Sequence, residues 1–178
     1  MKKIVLTLLS VSLLLASCKK IDKFTQFNKE YNSEITISSL VGTNLPFNLP
    51  TPAINTNLEK DMEVNDSKKE LIEEALLKIL TVSIKSPANQ NFDFVNDIDI
   101  YINSDNFPKK KIAYLHSIPE NNAKKLTFTI IEGMDIQEYI KEDSFKLELK
   151  IKTDKTIFQD VVLDIYTKIY IDVKILGL

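Results

Sequence analysis

The chain of 178 residues is poor in the residues that do covalent and metal chemistry: it has one cysteine, one histidine and no tryptophan. A lone cysteine excludes an internal disulfide framework, and one histidine without a second thiol excludes a Cys/His zinc cluster. Arginine is missing altogether, and all 23 basic residues are lysine. That removes the planar fork that grips phosphate, carboxylate or a guanine edge at two points. With 25 acidic residues against those lysines the net charge is −2, so no basic footprint for nucleic acid exists. Glycine is also scarce, at three residues, and turns must be built from proline, asparagine and aspartate instead.

What is present divides unevenly along the chain. Lys2 and Lys3 precede an apolar stretch, Ile4 to Ala16, of thirteen residues. As a helix this stretch is about 20 Å long, too short for a hydrocarbon layer of about 30 Å. A positive start, a short apolar run and small residues at its end form a secretory signal. It closes on Leu15-Ala16-Ser17-Cys18. That run resembles the lipobox of bacterial lipoproteins.

The resemblance covers residues 1–18 and implies cleavage before Cys18, a diacylglyceryl thioether on its sulfur and acylation of the new amine. The sole cysteine stands at the one position where lipidation needs it. Two or three acyl chains, at about 0.8 kcal/mol per buried methylene, make such attachment permanent. Lys19 stands where an aspartate resembles a retention signal for the inner membrane, so the resemblance implies a cell-envelope protein of the outer membrane. Residues 1–17 are then a discarded signal, 18–24 a lipidated tether and 25–178 one domain. A tether of five to eight residues reaches at most about 18–28 Å, which keeps the domain close to the lipid.

From Phe27 onward the dominant period is two. Phe27, Tyr31, Ile35 and Ile37 share one face, and so do Ile98, Ile100 and Ile102; Leu126, Phe128 and Ile130; and Phe145, Leu147, Leu149 and Ile151. Each predicts a strand with one wet face. Ile54, Leu58, Met62 and Val64 predict another, and Ile112 to His116 a shorter one. Val161 to Ile175 predicts a final strand of fifteen residues, which must either bend at a bulge near Thr167 or run the full length of the domain.

Two helix starts interrupt the strands. Ser67-Lys68-Lys69-Glu70 and Asp135-Ile136-Gln137-Glu138 have capping-box spacing. Leu71, Ile72, Ala75, Leu76 and Ile79 extend the first as a helical stripe, though Leu80, Val82 and Ile84 alternate directly after it. The second places Ile136, Tyr139 and Ile140 inward. All six prolines fall between periodic segments. The expected fold is mainly β: a two-sheet antiparallel β-sandwich, Greek-key or immunoglobulin-like, with one or two short helices in connections. A half-open barrel is the alternative.

Chemistry is sparse. His116 lies in a strand segment without a nucleophile motif, and no catalytic residue is expected. Asp93, Asp97 and Asp99, with Asn89, Asn91 and Asn96, form an oxygen-rich run whose spacing does not match a calcium loop, so neither metal nor cofactor is expected. Two surfaces could bind a partner. One joins Tyr166, Lys168 and Tyr170 on the wet face of the last strand, with Tyr101 contributed by another. The other is the proline-stiffened run Leu45 to Pro50, which covers a sheet edge or the end of the core, or else presents Phe47 to a partner.

The leading functional expectation is a non-catalytic envelope lipoprotein that binds protein or glycan, or serves as an accessory subunit. An amphiphile carrier with a groove between its sheets is the alternative, and a carboxylate-based hydrolase stands third. The partner of the membrane is Cys18, and nucleic acid is excluded as a partner.

Overall fold

The computed structural model describes residues 25–40, 45–64 and 67–174. Residues 15–18, the signal, the tether before Thr25 and Ile175 lie outside them. The described chain forms two antiparallel sheets. One has four strands in the order β1 (Gln26–Ile37), β10 (Val161–Val173), β4 (Ile72–Ser86) and β7 (Lys125–Thr127). The other has β2 (Phe47–Pro50), β9 (Ser144–Thr153), β5 (Val95–Asn103), β6 (Lys110–Leu115) and β8 (Thr129–Ile130), with β3 (Ile54–Asn55) also on β9. Two short helices, α1 (Glu59–Val64) and α2 (Gln137–Ile140), lie in connections. This is the expected mainly β sandwich.

Alternation builds the core. Ile98, Ile100 and Ile102 from β5 and Leu147, Leu149 and Ile151 from β9 are buried, and so are Leu163, Ile165, Ile169 and Ile171 from β10. The buried apolar residues of both inner faces join in one cluster. Each such side chain contributes about 1.5–3 kcal/mol on leaving water. The T-shaped contact of Tyr31 and Phe145, with ring centroids 5.2 Å apart, links the two sheets. Tyr31 reaches its polar end to the Thr56 carbonyl at 3.1 Å, and burial then pushes its hydroxyl far above the usual phenol range.

Several sequence expectations are corrected. The stripe from Leu71 to Ile79 is not a helix: a 3-10 turn at Lys69–Leu71 runs straight into β4. Register shifts against β10 give β4 extra residues at Glu73, Lys78 and Lys85. These bulges space the buried residues Ile72, Ala75, Leu77, Leu80 and Val82 three, two, three and two apart. Such spacing imitates helical periodicity. The Ser67 capping box does not form either, because Ser67 Oγ donates to the Lys174 carbonyl at 2.7 Å.

The strand expected over Ile54–Val64 shrinks to the two residues of β3, followed by α1. Leu58 and Met62, both buried, are four apart and fit a helix as well as a strand. Finally, Leu126 to Ile130 is two strands. β7 pairs with β4 in one sheet, β8 pairs with β6 in the other, and buried Phe128 marks the crossing.

The last strand follows the second expected course. β10 pairs with β1 over all twelve residues of β1 without a shift, and the irregularities fall on β4. At the second helix, Asp135 Oδ1 accepts from the Gln137 amide at 2.9 Å and from the Ala75 amide at 3.0 Å. The expected capping box does not form, since Ile136 is the N-cap without a side-chain bond, but the Asp135 carboxylate holds the turn before α2 against β4, and Ile136, Tyr139 and Ile140 are buried as expected.

Candidate binding surfaces

The aromatic residues singled out in the sequence fall on three separate surfaces. Tyr166, Lys168 and Tyr170 do share the outer face of the four-stranded sheet, because they occupy alternate positions of its central β10. Their neighbours across the ladders are Asn32 and Thr81, Glu30 and Ile79, and Asn28 and Leu76 respectively. Lys78 lies over the Tyr170 ring, 5.1 Å from its centroid, and Lys168 reaches Glu30 at 3.4 Å. Partial burial, then the nearby Glu30 carboxylate, raises the Tyr166 hydroxyl above the usual phenol value. These contacts are cross-strand packing of rings on lysine stems and aliphatic neighbours.

Tyr101 does not join them. It projects from β5 in the other sheet, where its ladder neighbours are Glu148 and Lys111, and alternate residues Ile100 and Ile102 fill the core. Lys109 covers the Tyr101 ring at 5.1 Å and pairs with Glu148 at 2.8 Å. Beside it, Asp99 Oδ1 receives Lys111 at 2.6 Å and His116 Nε2 at 2.8 Å. Lys111 also lies over the Tyr114 ring at 5.1 Å, while the Tyr114 and His116 rings are 5.2 Å apart. His116 follows the end of β6 and is 48% exposed at its side chain. Because Lys111 takes the same carboxylate oxygen, Asp99 is the centre of an ion-pair lattice rather than the dedicated orienting partner of a triad histidine.

Phe47 is half-buried rather than projecting freely. It opens β2, pairs with Ile151 at the edge of the second sheet and packs its ring against the core. Within the run Leu45 to Pro50, Phe47–Pro50 forms the edge strand over β9, and Pro50 ends it.

The oxygen-rich run is spent on loop backbone. Asp93 accepts from the amides of Asn121 and Asn122 at 3.0 and 2.9 Å, and Asp97 from Ser117 at 3.0 Å. Among the described residues, no group of three or more His, Cys, Asp or Glu side chains is arranged to hold a metal ion.

Among the described residues, hollows at several places on the surface open to solvent, and three bear on the residues above. One of about 470 Å³ lies between β4 and the stretch after β8, beside Leu76, Lys78 and Met134. Another, about 490 Å³, surrounds Lys69, whose ammonium is shared by Glu59 at 2.5 Å and Asp143 at 2.8 Å. Burial opposes that charge, yet the two carboxylates hold the Lys69 pKa above its ordinary value. The third, about 300 Å³, lies beside Phe94, Ile157 and Phe158 at one end of the sandwich.

That end carries a feature the sequence reading missed. Ile37 pairs with Val161 and Val95 with Thr153, so the loops after β1, before β5 and between β9 and β10 gather there. Phe158 is 84% exposed, Leu45 73% and Leu40 72%. Leu40 also has φ of 63°, a left-handed conformation unusual for a bulky residue. Two hydrogen bonds hold its turn against the opposite loop, from the Leu40 amide to the Ile157 carbonyl at 2.9 Å and from the Ser39 amide to Asp160 Oδ1 at 2.8 Å. Isolated apolar residues in loops carry no period, which is why pattern reading passed over them.

No protein-family model matches the chain, and no curated protein matches it. Among solved structures, turnip yellow mosaic virus at 100 K is similar with 11% identity and a TM-score of 0.27, over 85% of this chain and 96% of that one. Desmodium yellow mottle tymovirus is similar with 14% identity and a TM-score of 0.28, over 86% and 91% of the two chains. Both likenesses are too slight to bear on function.

Proposed function

We propose that the protein is a lipid-anchored lipoprotein of the cell envelope whose sandwich is a non-catalytic binding or accessory module for protein or glycan. The observation that carries this reading is the position of the first strand: β1 opens at Gln26, eight residues beyond the only cysteine. At about 3.4 Å per residue the anchor holds that end of the sheet within about 27 Å of the lipid. The inner faces support a module over a carrier, because their aliphatic and aromatic side chains pack against one another in one cluster, and the larger hollows lie at the surface. Feeding cells an alkynyl palmitate tests the anchor. The wild-type chain is expected to take up the label and partition into detergent, and Cys18→Ser to do neither. An unlabelled wild-type chain overturns the reading.

A further inference from the structure

We infer that the loop end bearing Leu40 and Phe158 is a docking tip for an envelope protein that offers an apolar cleft rimmed by basic residues. This inference rests on the anchored-module reading for its orientation. The chain enters β1 at Gln26, twelve residues of extended strand from Ile37, so a sheet of about 40 Å separates the entry from the tip. A tether that ends at Gln26 therefore attaches at the opposite end of β1 from Leu40 and Phe158 and leaves them free to face away from the lipid.

Within the chain itself, Leu40 is unfavourable twice over. A leucine at φ 63° is strained where asparagine or glycine is relaxed, and its side chain is left in water. Strained residues held by their surroundings cluster at sites of binding. Here the holding groups are the Ile157 carbonyl and the Asp160 carboxylate, which belong to the same loop as Phe158. Two exposed apolar side chains are thereby presented from adjoining turns, Phe158 lining a hollow of about 300 Å³. An apolar patch with a polar rim is the anatomy of a protein interface.

The rim sets the chemistry of the partner. The loops at this end carry the carboxylates Asp93, Glu120, Asp154 and Asp160 against the ammonium groups of Lys124 and Lys155. Lys155 is already paired with Glu120. An acidic rim favours a basic counterpart and disfavours both anionic lipid and a second copy of the same tip.

The test uses the full chain in its own envelope, with a photoreactive phenylalanine analogue at position 158 and, for comparison, at the lateral position Asn32. Irradiation is expected to give one discrete protein adduct from position 158, at least about fivefold stronger than from position 32. Leu40→Asn should reduce its yield by about fivefold or more. The double substitution Asp154→Asn and Asp160→Asn, which keeps the acceptor for the Ser39 amide, should reduce it by about threefold or more. The inference is overturned by an adduct of twice the chain's own mass, by lipid adducts, by equal yields from both positions, by no adduct, or by a yield indifferent to these substitutions. Palmitate labelling of the same cells separates the two readings. Label without adduct sinks the tip alone, and adduct without label sinks the anchor alone.

Discussion

Nε2 of His116 lies 2.8 Å from Oδ1 of Asp99, the same oxygen that receives the Lys111 ammonium. Burial pushes the Asp99 carboxyl upward, but these two donors outweigh it and hold the group below the ordinary carboxylate value. A pKa depressed on folding stabilises the native state above the unfolded-state value, near 3.9, and that gain is lost as pH falls through the folded value. Asp99→Asn is expected to cost about 0.5–1 kcal/mol at pH 7 and to cost less at pH 3. Urea midpoints at both pH values check this; an equal difference at the two would show that the pairing is not linked to protonation.

The Thr167 hydroxyl is buried on the inner face of β10 between Tyr31 and Leu80, with no hydrogen-bond partner among the described residues. An unpaired buried hydroxyl gains nothing from folding and loses its hydration. Thr167→Val should stabilise the domain by about 1 kcal/mol, read as a higher thermal midpoint. A lower midpoint would mean that the hydroxyl is satisfied by water.

Asp135 holds the amides of Ala75 and Gln137, and its second oxygen receives the Gln137 side-chain amide at 2.7 Å. Asp135→Ala should cost about 1–2 kcal/mol, since it leaves the part-buried amides of Ala75 and Gln137 without their acceptor. Amide exchange should quicken at Ala75 and Gln137 and stay unchanged in β5. Uniform quickening would assign the loss to global stability instead.

Leu40→Asn removes the penalty of a bulky side chain at positive φ, and is expected to raise stability by about 0.5–1 kcal/mol while weakening partner capture. A substitution that stabilises the fold and harms binding identifies a residue kept for binding. Denaturation of the variant beside its crosslinking yield decides the matter.

Strands with one solvated face were legible from residue spacing: β1, β5, β9 and β10 alternate cleanly because each buries every second side chain. β4 was not, since bulges at Glu73 and Lys78 break the period into threes and twos. The break at Phe128 was hidden for the opposite reason: a strand that leaves one sheet for the other keeps its alternation while changing its partners. Tyr166, Lys168 and Tyr170 were placed together correctly, as one face of one strand. The separation of Tyr101 from them depends on which sheet receives β5, which no local pattern encodes.

The unbroken pairing of β1 with β10 bears on mechanical load. Under the proposed anchoring, a pull that enters β1 at Gln26 and leaves toward Phe158 from the Val161 end of β10 acts along the axis of β1. Its twelve ladder pairs are then loaded together in shear instead of opening one after another from a free end. The edge strand β1 is thus the spar of the domain, and under the proposed anchoring and docking it would carry tension between membrane and partner without peeling the sheet.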